Sequence, residues 1–177
     1  MKSPTDDPAE VRTLDVVHAA ERGNLVMSSG PFLEVQLRAS GSSALEAIPG
    51  DDLSAPGGAA TLKVRVQCPN WFDVDRVQVF LNGRPIQELN FTRESAPGKF
   101  SNAVVKFEQE IPLRLQRDSH VIVAAIGEQS KLGPVMGPEH AGDRPVAVSN
   151  PIFVDVDGGG FKPSNEPLGE LPVKRSP

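Results

Sequence analysis

Apolar residues recur at every second position in short runs along this chain, and that period limits the folds open to it. Leu33, Val35 and Leu37 alternate with Glu34, Gln36 and Arg38, and Leu62, Val64, Val66 and Cys68 alternate with Lys63, Arg65 and Gln67. Side chains of an extended strand point to opposite faces in turn, so each run reads as a strand with one dry and one wet face. A third run, Val77, Val79 and Leu81, ends at Asn82-Gly83, a pair suited to the left-handed backbone of a two-residue hairpin turn. Ile86, Leu89 and Phe91 supply a short return strand. Val105 and Phe107 mark another, which Ile111 and Leu113 continue beyond an expected bend at Pro112. His120 to Ile126 is apolar on both faces, as a central strand is. Val146 and Val148 precede Asn150-Pro151, and Ile152, Val154 and Val156 follow. Proline cannot donate to a ladder, so Pro151 predicts an edge position or a bulge.

Only the start of the chain departs from this period. In Asp7-Pro8-Ala9-Glu10, Asp7 can cap free amides, Pro8 suits the first helical position and Glu10 completes a capping box. The spacing predicts a helix over 8–22 with Val11, Leu14, Val17 and His18 on a face to be buried, ended by Gly23. A short strand, Leu25-Val26-Met27, and the turn Ser28-Ser29-Gly30-Pro31 come next. Residues 39–59 and 128–144 read as loops, and the tail from Gly158, rich in Gly and Pro, as extended or loose. Strands separated by turns with no helix between them make an all-β fold. The expectation is a β-sandwich of about seven to nine strands, preceded by one helix and a short strand, with a closed barrel as the lesser alternative.

Composition narrows the function classes. The 177 residues include 18 Lys and Arg against 23 Asp and Glu, a net charge of −5, and one Cys. That length suits one domain with a sizeable core. The acidic balance argues against nucleic-acid binding, which needs a basic face. One cysteine excludes a disulfide framework, and no paired Cys or His-x-x-x-His offers zinc-finger spacing. No run approaches the roughly 20 apolar residues of a membrane span. The start, MKSPTDDPAE, lacks the apolar segment of a secretory signal. The expectation is a soluble chain, with an extracytoplasmic location open if a signal lies upstream.

Several stretches also carry a resemblance. Arg22-Gly23 through Ser29-Gly30-Pro31-Phe32 resembles the end of a PHP-type metallohydrolase domain (the polymerase and histidinol phosphatase superfamily), in its carbaryl-hydrolase-like branch. Cys68-Pro69-Asn70-Trp71-Phe72-Asp73-Val74, Val77 to Gly83, Pro145 to Ile152 and Val154 to Gly158 resemble the region C-terminal to the barrel in that branch, an immunoglobulin-like β-sandwich. The resemblance implies an immunoglobulin-like sandwich over 32–157, with 1–31 as the closing helix and strand of the barrel and 158–177 as a tail. Such enzymes gather several His and Asp ligands around metals, beginning with a His-x-His pair. This chain has only His18, His120 and His140, with no such pair. The implied role is therefore a non-catalytic accessory module, partnered by a PHP-type catalytic domain in cis or as a separate chain. The opening helix would dock on that barrel, on the sandwich, or on a second copy to give a homo-oligomer.

Candidate sites are few. No Gly-x-Ser-x-Gly elbow is present. Cys68 shares the phase of Leu62, Val64 and Val66 and is expected in the core, without the cationic neighbour in sequence that a reactive thiol needs. His120 reads as a partly buried structural residue. Glu139, His140 and Asp143 share a loop that reads as solvated rather than metal-binding. Trp71 and Phe72, with the 128–144 loop, form a candidate carbohydrate- or polymer-binding surface, set against a plainer reading as a hydrophobic plug. Asp155, Asp157, Gly160 and Glu166 fall at the first, third, sixth and twelfth positions of a calcium loop. Gly159 offers no ligand at the fifth, so a flexible Gly turn is the favoured expectation and bound calcium the sharper one. The glycosylation sequon Asn90-Phe91-Thr92 reads as chance.

Overall fold

The computed structural model of this chain describes residues 5, 7–41 and 46–163. Its strands are β1 (Val26–Ser28), β2 (Phe32–Ala39), β3 (Asp52–Ser54), β4 (Ala59–Gln67), β5 (Arg76–Leu81), β6 (Arg84–Thr92), β7 (Val105–Arg114), β8 (Ser119–Ile126), β9 (Val146–Ser149) and β10 (Ile152–Asp155). They form two sheets. The smaller has the order β2–β4–β7 and is antiparallel throughout. In the larger, β8 is central: β5 and then β6 lie to one side, and β9 and β10 share the other. β9 pairs antiparallel with β1, and β10 pairs parallel with β3. Leu33, Val35, Leu62, Val64 and Ile111 of the smaller sheet meet Val77, Val79, Val121, Val123, Ile152 and Val154 of the larger in one buried cluster. Each such side chain contributes about 1.5–3 kcal/mol on burial. This is an all-β sandwich with an N-terminal helix.

The period-two runs carry the register that their pattern predicts. Leu62, Val64, Val66 and Cys68 all face the core. Asn82 and Gly83 take φ of 52° and 75° and close the β5–β6 hairpin. Pro151 falls between β9 and β10, the break at which the outer neighbour changes from β1 to β3.

Three expectations are corrected. β1, expected as a short strand, pairs with β9, whereas β3, three residues without a period of their own, arises from pairing with β10. β3 lies inside the stretch 39–59 expected as a loop. β7 runs straight through Pro112, where a bend was expected, since an edge strand tolerates a residue without an N–H. β6 spans nine residues, longer than a short return strand.

The helix expected over 8–22 is divided. A 3₁₀ turn at Pro8–Glu10 is capped by Asp7, whose carboxylate accepts from the Ala9 amide at 2.9 Å. The backbone is extended at Val11 and Arg12, and α1 (Thr13–Glu21) begins afresh. Asp15 causes the restart: its carboxylate accepts from the Arg12 amide at 3.2 Å and from its guanidinium at 2.8 Å. β1, in the segment 1–31, pairs with β9 of the larger sheet.

Candidate functional site

The first candidate is the N-terminal helix. Its root is fixed by polar contacts. Asn24 Nδ2 donates to Pro49 O at 2.8 Å and to Asp51 Oδ1 at 3.0 Å, and Asn150 Nδ2 donates to Gly23 O at 2.9 Å. Gly23, at φ 74°, turns the chain there, and Gly50 lies so close that a Cβ would strike the Arg22 carbonyl. The body of the helix is bare. Leu14 is 62% exposed and Val17 41%, Val16 is also exposed, and only Ala19 is buried. Of the face expected to be buried, Leu14, Val17 and His18 are exposed and Val11 is half-buried. Sequence pattern finds such a face but not what it meets.

The second candidate lies at one end of the sandwich, where β4 leads to β5, β6 to β7 and β8 to β9. Here Trp71 and Phe72 part company. Phe72 is buried, and with Leu132 it converges on Gly30, where a Cβ would lie 2.8 Å from Phe72 Cζ and 3.1 Å from Leu132 Cδ2. Trp71 is 61% exposed and stands edge-on to Phe72, ring centroids 6.2 Å apart. The Asp73 amide donates to Ser130 Oγ at 2.9 Å, so the 128–144 loop does border the Trp71–Phe72 segment. Of the two, Phe72 packs inward and Trp71 offers its ring to solvent.

Behind them sits a charge cluster that local pattern does not reveal. Asp73 meets Arg93 at two points, Oδ2 to Nε at 2.8 Å and Oδ1 to Nη2 at 2.9 Å. Arg93 also donates to Ser101 O at 2.7 Å and stacks over Phe100. Lys106, only 5% exposed in its side chain, holds its Nζ 3.5 Å from Asn102 O and 3.8 Å from Asp73 Oδ1. The residues lie 20 and 33 positions from Asp73 in the chain, so only the fold assembles them. Cys68 is nearby and buried, and desolvation pushes its thiol up despite Lys106 and Arg93.

The third candidate is the acidic turn. Asp155 and Asp157 come together with Asp118, ligand atoms within 4.8 Å of one another, the one such convergence of His, Cys, Asp or Glu among the described residues. Asp118 has no spacing signal: the pairing of Ser119 with Val154 brings it there. Glu166 lies outside the described residues. Each carboxylate already accepts hydrogen bonds. Asp155 takes the Gly158 and Gly160 amides at 2.7 and 3.0 Å, and Asp118 takes the Val156 and Lys162 amides at 2.9 and 2.8 Å. Asp157 takes the Gly159 amide at 2.7 Å and Lys162 Nζ at 3.1 Å. The Gly159 amide, then Lys162, hold the Asp157 carboxyl below its ordinary range. A lysine ammonium thus supplies the positive charge at this turn.

The remaining candidates stay apart. His140 Nδ1 lies 2.9 Å from Asp143 Oδ2, both exposed, and they form no three-residue set with Glu139. His120 is half-buried beside Phe153, and burial pushes its imidazole down. Asn90 is part of β6 with its Oδ1 buried. No helix among the described residues is long and apolar enough to cross a membrane. Against known proteins, no family model matches this chain, and a search of curated proteins finds no match.

Proposed function

We propose that this chain is a non-catalytic interaction module: an immunoglobulin-like sandwich that holds and presents its N-terminal helix to a larger partner. The observation that carries this reading is the contrast within residues 13–24. The root of α1 is anchored by Asn24, Gly50 and Asn150, yet Leu14 and Val17 stand in water. Anchoring a helix while leaving its apolar face bare makes sense when that face meets something else. The strand order β2–β4–β7 against β6–β5–β8–β9 supports the immunoglobulin-like assignment. The partner we favour is a PHP-type metal-dependent hydrolase barrel, in the same polypeptide or a separate chain, and this rests on the sequence resemblance alone. The acidic turn, whose three carboxylates already accept backbone amides and, at Asp157, the Lys162 ammonium, does not favour a catalytic or calcium role.

The test is photo-crosslinking from benzophenone placed at position 14 or 17, in the cells that make the protein, with mass spectrometry of the product. Crosslinks to a barrel rich in His and Asp ligands support the reading. Crosslinks to the chain's own sandwich contradict it.

A second reading, a carbohydrate- or polymer-binding module, is favoured by one observation: the 128–144 loop reaches the segment that carries the exposed Trp71, with Ser130 on the Asp73 amide and Leu132 beside Gly30 with Phe72. Glycan-panel binding that is lost in Trp71→Ala would support it. A panel with no binder would remove it.

A further inference from the structure

The outer edge of β2 carries a gap in its hydrogen-bond ladder at Leu33 and Val35, residues only 4% and 2% exposed. Leu37 exchanges both main-chain hydrogen bonds with Ala47, N to O at 2.8 Å in each direction, so its polar groups face away from β4. β2 pairs with β4 in unbroken register from Phe32 to Ala39, so Leu33 and Val35 share the orientation of Leu37. At the other end, Pro31 O accepts from Ser28 Oγ. Between these two closed ends stand four main-chain groups, the N–H and C=O of Leu33 and of Val35, with no hydrogen-bond partner among the described residues. The chain's own strand could have continued past Ala47 to meet them. It leaves at Pro49, which has no N–H, and the turn from Ile48 to Asp51 carries it to β3 and β10 instead.

The gap opens into a groove of about 280 Å³ between β2, β1 and the Ile48-Pro49 turn, with apolar walls from Leu25, Val26, Phe32 and Ile48. Glu34 is the one charged residue lining it; its side chain is 43% exposed, and its carboxylate is shared with Arg65 of β4 at 2.8 Å. We infer that this edge is a second interaction surface, which takes an extended peptide segment of a partner protein as an added antiparallel strand. The unpaired groups repeat at strand pitch, so they fit an extended backbone and not a helix or a flat apolar face. At about 3.3 Å per residue about three residues of the segment pair between Ser28 and Ala47, and the residues flanking them leave the edge at either end. The existing Leu37–Ala47 bridge sets the antiparallel direction, the apolar walls select alternate apolar side chains, and Glu34 selects a neighbouring Lys or Arg.

The experiment is a titration of the full, ¹⁵N-labelled chain with an acetylated, amidated peptide Thr-Val-Lys-Val-Lys-Thr, followed by amide shifts and hydrogen exchange. The expected result is downfield movement and at least about tenfold slower exchange at the Leu33 and Val35 amides, with Val64 and Val66 unmoved. The same peptide N-methylated at alternate residues loses about tenfold or more in affinity on the side that faces β2. Val35→Pro, which removes one outward N–H, weakens binding similarly, and its melting temperature reports whether β2 is intact. Equal binding by both N-methylated peptides overturns the inference, as do shifts confined to α1 or the Trp71 end. A chain ending at Pro163 binds the peptide equally well. If binding appears only after removal of 164–177, the occupant is the chain itself and the partner proposed here is wrong.

Discussion

Lys162 places its Nζ 3.1 Å from Asp157 Oδ2, inside the turn whose acidic spacing resembles a calcium loop. A tethered ammonium in that position competes with any divalent cation. The melting temperature of the protein should therefore be the same in millimolar calcium and in excess chelator. A calcium-dependent rise would show that the three carboxylates bind the ion in spite of Lys162.

The same pair has a pH signature of known sign. The folded-state value of Asp157 is depressed, so its contribution is present above the unfolded carboxylate value of about 4 and is lost as pH falls through the lower folded value. Both groups are exposed, so the effect is small. Melting temperature should fall less steeply below pH 4 in Asp157→Asn than in the wild type. An identical slope in both would show that the pair contributes nothing.

Among the described residues, Asp73 is the acidic partner of both Arg93 and the buried Lys106. Asp73→Asn should destabilise the fold by about 2–3 kcal/mol, because two cations lose their counter-charge while one stays buried. Chemical denaturation measures this directly. A loss below about 0.5 kcal/mol would mean that solvent compensates the cluster.

Cys68 should behave as a core atom rather than a nucleophile. Its burial raises the thiol pKa, so alkylation at pH 8 should be slow in the native protein and fast in denaturant. Rapid native labelling would contradict its placement between β4 and Phe72.

Legibility in the sequence divided along physical lines. Where one strand carried its own alternation, as in Leu62 to Cys68, the pattern alone predicted which side chains are dry. Where a strand owes its existence to a neighbour, as Asp52–Ser54 does to β10, three residues held no period to read. The helix start was misplaced because Asp7 offers a good local cap, while the Arg12–Asp15 pair offers a second one that the α-helix uses. Of the candidate sites, Asp155 and Asp157 were visible from spacing and Asp118 was not, since only strand pairing brings it near. Lys162 was in plain view, but its reach back to Asp157 depends on the turn made by Gly158–Gly160.

The central claim is that the apolar face of α1 serves a partner and not this chain's own core. The most direct test is thermal unfolding of Leu14→Ser/Val17→Ser beside the wild type, in the full chain. The account predicts melting temperatures equal to within about 2 °C, since exposed substitutions change stability by about 0.5 kcal/mol or less. A fall of about 5 °C or more would show that the face is buried against the sandwich, and the helix would then be part of the fold it was proposed to present.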